Sequence, residues 1–191
     1  MTMIKRDLRK LYIEKRRHLS PQEMTKLDDL LLIRFQQRPL GDITTVLNFW
    51  PIAEKHEVST HLIIDYLSFF IPSLQLAYPV MTMTASVFKA VLVNEFTHFQ
   101  QNQLGIAEPL SADEIDPYKI DVVFVPLLAF DKKGYRVGYG KGFYDKFLKT
   151  CRTDVLKIGL SYFDAEESID DINDFDVTLN MCITPNKIYE F

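Results

Sequence analysis

The chain has 191 residues, a formal charge of −4 and 47% apolar residues, enough for a sizeable core in one domain, 1–191. The negative balance argues against general nucleic-acid binding. With no long apolar run and no secretory h-region, a soluble, cytoplasmic protein off the membrane is expected.

The first stretch, MTMIKRDLRKLYIEKRRHL, sets Ile4, Leu8, Leu11 and Leu19 at roughly helical spacing among Lys and Arg. A basic amphipathic helix is usually a solvated face. Lys5 and Arg9, at i and i+4, nevertheless share a side and can reach one polyanion. Ser20, Pro21 and Glu23 form a capping box that starts a second helix, with Met24, Leu27, Leu31 and Phe35 as its buried stripe. TTVLNFW then reads as a strand halted by Pro51.

HEVSTH (56–61) resembles a zinc helix until it is counted: HExxH requires His at Thr60, and His61 falls one step late. The remaining histidines form no ligand spacing, which rejects zinc. For Glu57 two readings stand. Either it is a binding carboxylate, or Ser59 or Thr60 caps the next helix and Glu57 is merely exposed. HLIIDYLSFF is a helix, and LQLAYPV and SVFKAVLV are strand-like. Glu108 in GIAEP (105–109) is either a site residue or part of a turn fixed by Pro109.

DVVFVPLLAF (121–130) reads as the central strand, and Gly134 bends the chain after it. Gly138, Gly140 and Gly142 alternate with Tyr139 and Lys141, so backbone N–H groups can approach a ligand closely. GFYDKFLK begins a helix whose start favours anions. Together with Arg136 and Lys141 this describes a phosphate cradle; a tight surface turn is the bland alternative. The dinucleotide fingerprint fails at Phe143, and the P-loop fails at Tyr135 and Gly142.

DVLKIGLSY is a further strand, the acidic run from Phe163 to Asp176 a solvated loop, and TLNMCIT the last strand. Cys151 and Cys182, in no CxxC pair, read as packing residues in a reducing cytosol. Alternating helices and strands predict a three-layer α/β/α domain with a mostly parallel central sheet and ligands at the carboxyl ends of its strands.

The stretch PLLAFDKKGYRVGYGKGFYD resembles the signature of the 5-formyltetrahydrofolate cyclo-ligase family. Pro126, Ala129, Phe130, Asp131, Gly134, Arg136, Val137, Gly138, Gly140, Gly142, Tyr144 and Asp145 follow its pattern, with Phe143 where Tyr is usual. Lys5 and Arg9 fit its KxxxR pair, and Glu57 to Thr60 resembles its EVDT segment with Ser59 for Asp. Residues 105–109 resemble its GIxEP segment; Phe175-Asp176 stands for its His-Asp, and Asn180 for a common second Asp. The resemblance runs through nearly the whole chain and is strongest from Asp121 to Asp145.

It implies cyclisation of 5-formyltetrahydrofolate to 5,10-methenyltetrahydrofolate, with ATP as co-substrate and Mg2+ as cofactor. The folate can carry a polyglutamate tail or lack one, and the expected form is a monomer. Lys5, Arg9, Arg136, Val137, Gly138, Tyr139, Gly140, Lys141, Gly142 and Tyr144 are the implied ATP site. Lys141, Arg136 and Asp145 are the catalytic candidates, and Asp145 and Asp176 the metal candidates. Glu57 anchors the pterin, with Phe49, Trp50, Tyr139 and Phe143 as apolar walls. A non-catalytic binding module and a small-molecule kinase are the rivals. Without the resemblance the residues describe a cytosolic α/β nucleotide-binding enzyme of unknown reaction.

Overall fold

The computed structural model describes residues 3–82, 87–103, 105–111 and 113–191. Two helices open the chain, α1 (Lys5–Arg17) and α2 (Pro21–Phe35). β1 (Thr45–Leu47), α3 (His61–Phe70), β2 (Gln75–Met81) and β3 (Phe88–Val93) follow. β4 (Phe99–Gln101) and β5 (Ala107–Pro109) make a hairpin. β6 (Val122–Val125), β7 (Ala129–Phe130), β8 (Arg136–Val137), α4 (Phe143–Leu148), β9 (Leu156–Leu160), β10 (Met181–Ile183) and β11 (Ile188–Glu190) complete the chain.

The main sheet runs β11-β10-β9-β6-β1-β2-β3. Its five inner strands are parallel, and both edges, β3 and β11, are antiparallel. This is the expected α/β class. β1 leads through α3 to β2 on one side, while β6 lies on its other side, so the order reverses between β1 and β6. A crevice opens at such a reversal, outside the carboxyl ends of the strands.

Alternation along β6 explains the layers. Val122 and Phe124 face α2 and α3, packing with Leu31, Phe35, Ile63 and Leu67. Val123 and Val125 face the opposite side, against Phe147, Leu148 and Cys151. All four are fully buried, as a strand covered on both faces requires. The second outer layer is thin, because α4, the α-helix packed there, has six residues.

The capping box of α2 is present: Ser20 Oγ accepts from Glu23 N–H, and the Glu23 carboxylate accepts from Ser20 N–H. Such a cap contributes about 1 kcal/mol. α1 differs in two ways from its sequence pattern. Its buried stripe is Leu8, Tyr12 and Arg16, while Leu11 faces solvent. Its N-terminus also has no local cap, since Ile4 carries no acceptor; Asp171 Oδ1 accepts the Lys5 N–H at 2.6 Å instead.

The acidic run is therefore not simply a solvated loop. Glu166 accepts from the Tyr12 hydroxyl at 2.6 Å, Asp164 accepts from Thr184 at 2.7 Å, and Asp176 pairs with Lys5. Three further readings are corrected. The central run breaks at Pro126 into β6 and β7, because proline cannot continue a ladder. Residues 105–109 are half of a hairpin, and β11 follows β10 as a final strand.

Candidate active site

A cavity of about 640 Å³ lies at the carboxyl ends of the inner strands. Phe49 and Trp50 follow β1, Pro126 ends β6, Pro79 and Met81 belong to β2, and all five line it. α1 contributes Lys5 and Arg9 to the wall, as the i, i+4 spacing predicted.

The glycine loop forms the floor. Gly138 to Gly142 all line the cavity, and the Gly138 carbonyl accepts from Arg9 Nε at 2.9 Å. Gly140 has φ +89°, a conformation that side chains strain to adopt. α4 begins directly after Gly142, but one and a half turns carry little dipole. The positive field here comes from side chains.

Arg136 and Asp145 form a partly buried pair, Nη2 to Oδ1 2.9 Å, and Arg136 also donates to the Val177 carbonyl. Burial pulls the Arg136 pKa down, opposed by the charge of Asp145. Asp145 Oδ1 also accepts from Val177 N–H at 3.0 Å. Lys5 pairs with Asp176, whose Oδ2 accepts from Asn173 N–H at 2.8 Å. Each carboxylate thus makes these bonds through one oxygen. Among the described residues no cluster of three or more His, Cys, Asp or Glu could hold a metal by itself. A magnesium carried by nucleotide phosphates needs only one or two carboxylates, which these two can supply.

Glu57 is 7% exposed, so its reading as a solvated residue beside a cap is excluded. Its Oε2 accepts from Ile52 N–H at 2.8 Å and its Oε1 from the Tyr139 hydroxyl at 2.6 Å. A carboxylate accepts at more than two positions, so it retains capacity for donors of a ligand. Thr60 does stand at the start of α3, but its hydroxyl contacts Asn48 Nδ2 at 2.9 Å and the Phe49 carbonyl, not the helix. Burial raises the pKa values of Tyr139 and Tyr144, in both cases aided by Glu57, so both phenols are neutral. The Tyr144 hydroxyl is secluded and has no hydrogen-bond partner among the described residues.

The fold brings together Lys5, Arg9, Phe49, Trp50, Glu57, Arg136, Tyr139, Lys141, Phe143, Tyr144, Asp145 and Asp176 with the loop glycines. Val137 is the exception. Its side chain packs under α1 with Leu8 and Tyr12, away from the cavity. Asn180 also stays outside: its N–H donates to the Lys157 carbonyl of β9 and its side-chain Oδ1 accepts from the Lys157 N–H. Sequence reasoning missed Lys55, whose Nζ lies 4.4 Å from the centre of the Tyr139 ring, and Ile106 on the β4–β5 hairpin. It left Glu108 open; that carboxylate lines the cavity while accepting from Met81 N–H at 2.8 Å. Lys55 carries no local pattern, because it meets the cavity through a long-range contact with Tyr139.

A cationic, glycine-floored half joined to a half with one buried carboxylate and aromatic walls suits a phosphate-bearing ligand beside a flat polar heterocycle. Comparison with known proteins identifies the family. The chain matches the 5-formyltetrahydrofolate cyclo-ligase family over residues 2–185. It is 34% identical over 185 residues to the 5-formyltetrahydrofolate cyclo-ligase of Mycoplasma genitalium, covering 93% of this chain and 97% of that one. It superposes on the 5,10-methenyltetrahydrofolate synthetase of Aquifex aeolicus with TM-score 0.79 at 27% identity, covering 98% of this chain and 93% of that chain. The corresponding synthetase of Mycoplasma pneumoniae gives TM-score 0.73 at 27% identity, with 96% and 99% covered. By sequence and by fold, this chain belongs to the 5-formyltetrahydrofolate cyclo-ligase family of enzymes.

Proposed function

We propose that the chain, acting as one catalytic domain, cyclises 5-formyltetrahydrofolate to 5,10-methenyltetrahydrofolate at the expense of ATP, with magnesium, releasing ADP and phosphate. The observation that carries this reading is the hydrogen bond from Tyr139, in the glycine loop, to Glu57. It joins the glycine loop to a carboxylate in one cavity, which supports a nucleotide phosphate beside the N–H donors of a pterin.

The N5-formyl group is an amide, and its oxygen is a poor leaving group. Transfer of the γ-phosphoryl group to that oxygen gives an N5-iminium phosphate. N10 then attacks the formyl carbon, its proton is lost, the C–O bond breaks and phosphate departs. Closure is intramolecular, so orientation supplies much of the rate.

Lys5, Arg9 and Arg136 neutralise the nucleotide phosphates, while the backbone of Gly138 to Gly142 cradles them. Lys141, within that loop, lines the cavity and stabilises the transferring phosphoryl group. Glu57 orients the pterin, and Phe49, Trp50, Tyr139 and Phe143 exclude water. Asp145 and Asp176 would hold magnesium, which supplies charge neutralisation between phosphate oxygens when bound. The reading places the enzyme in the cytoplasm as a monomer; two buried free thiols support the compartment.

The test is direct. Purified protein is mixed with 5-formyltetrahydrofolate and Mg-ATP, and the absorbance of the cyclised product is followed. A rise that requires both ATP and magnesium supports the reading. A flat trace with folate binding intact by calorimetry replaces it with a binding module.

A further inference from the structure

Arg16 is a charged residue on the buried face of α1, 3% exposed, and the reaction described above makes no use of it. Its guanidinium sits under the glycine loop. Nη2 donates to the Leu127 carbonyl, Nη1 lies 3.4 Å from the Tyr139 hydroxyl, and Nε has no partner among the described residues. No carboxylate forms an ion pair with it among the described residues. A buried cation in that position is costly unless its charge is put to use nearby.

Tyr139 shows where the charge goes. Its one hydroxyl proton is donated to Glu57 Oε1 at 2.6 Å, so its oxygen faces Arg16 as an acceptor. Lys55 Nζ lies over the ring of the same phenol, 4.4 Å from its centre. The 3.4 Å separation is long for a hydrogen bond, but the charge of the guanidinium still polarises that oxygen. The backbone repeats the connection, since His56 Nδ1 lies 2.8 Å from the Arg16 carbonyl and His56 directly precedes Glu57. Tyr139 itself stands between Gly138 and Gly140, the phosphate floor.

We propose that Arg16 is a positioning residue that acts through Tyr139, aiming Glu57 at the pterin and tying that anchor to the phosphate loop. Fixing the loop with a nucleotide then fixes Tyr139 and with it Glu57. Nucleotide and folate therefore favour each other's binding, and by linkage they do so equally. This rests on the folate reading given above.

The experiment measures the Kd of 5-formyltetrahydrofolate by calorimetry, with and without a non-hydrolysable ATP analogue. It compares wild type, Arg16→Gln, Arg16→Lys, Tyr139→Phe and the Arg16→Gln/Tyr139→Phe double variant. In wild type the analogue tightens folate binding at least about 5-fold. Arg16→Gln and Tyr139→Phe each weaken folate binding about 10-fold and abolish that tightening, and the double variant is no worse than either by more than about 3-fold. Arg16→Lys recovers part of the tightening. Affinity for the analogue alone changes by less than about 2-fold in Arg16→Gln.

A folded Arg16→Gln protein with wild-type folate affinity overturns the proposal. So do additive effects in the double variant, or an equal loss of affinity for the analogue alone. Should Arg16→Gln not fold, undiminished tightening in Tyr139→Phe overturns it. Wild-type protein that does not bind 5-formyltetrahydrofolate instead overturns the folate reading, before any variant is compared.

Discussion

Arg136 and Asp145, on either side of the glycine loop, form an ion pair with the guanidinium 6% and the carboxylate 28% exposed, Nη2 to Oδ1 2.9 Å. The same oxygen accepts from Val177 N–H, so the pair also pins the segment that carries Asp176. Asp145 therefore has a structural duty beside its proposed metal duty. Asp145→Ala leaves a buried guanidinium unpaired, and a loss of about 3 kcal/mol in stability is expected. Thermal unfolding measures it, and a variant as stable as wild type would refute the coupling. Asp145→Asn keeps the acceptor for Val177 and is expected to fold better than Asp145→Ala while still losing turnover.

Lys5 pairs with Asp176 at the cavity wall, and its own backbone N–H is capped by Asp171. The cap does not depend on the side chain. Lys5→Ala is expected to raise the KM for ATP about 10-fold, the worth of one charge-assisted phosphate contact, with a smaller change in Tm than Asp145→Ala. Steady-state kinetics at saturating folate checks this. An unchanged KM for ATP removes Lys5 from the nucleotide site.

Two glycines of the loop separate strain from access. Gly140 has φ +89°, and a Cβ there would meet the Arg9 guanidinium at 3.4 Å. At Gly138 nothing lies within 4 Å of an added Cβ, and no left-handed backbone is required. Gly140→Ala should lower stability by about 1–2 kcal/mol and disturb Arg9. Gly138→Ala should fold normally, yet its methyl group keeps phosphate off the backbone and weakens ATP binding. Equal Tm losses in both variants would contradict this division.

Asp28 on α2 supports the Glu57 segment from behind. Its Oδ1 accepts from the Tyr162 hydroxyl at 2.8 Å and from Ser59 N–H at 3.2 Å. Burial pushes its pKa up to about 6, against the pull of those two hydrogen bonds. A raised carboxyl pKa means that the folded state holds the proton more tightly. This contribution is complete below the unfolded pKa of about 4 and is lost as pH rises through about 6. Asp28→Asn keeps the acceptor oxygen without the charge. At pH 7.5 it should stabilise the protein by about 1 kcal/mol, discounted for partial exposure, or about 2–4 °C in Tm. At pH 4 the gain should vanish. Destabilisation at pH 7.5 would show that the ionised form is the one the fold prefers.

Much was legible in the residues themselves. The capping box at Ser20, the ten-residue helix from His61, the parallel strands and the cationic glycine loop are local, written in spacing and side-chain type over a few positions. The i, i+4 pair Lys5 and Arg9 could be placed on one face because helix geometry alone decides it. Other features depended on residues far apart in the chain. Periodicity put Leu11 in the core of α1, but the neighbouring segments cover the Leu8, Tyr12 and Arg16 face instead. Val137 lies inside the signature and yet points under α1, because its β8 partner is Ala129. The acidic run looked solvated because charge alone favours water; Tyr12, Lys5 and Thr184 claim its carboxylates only once the chain is folded. Glu57 is the sharpest case. Sequence left it open between solvent and site. Only the tertiary structure decided, by setting Ile52 and Tyr139 at its two oxygens and closing the cavity over it. Local patterns report the energy of short segments, while a buried carboxylate is paid for by donors that the fold brings from elsewhere.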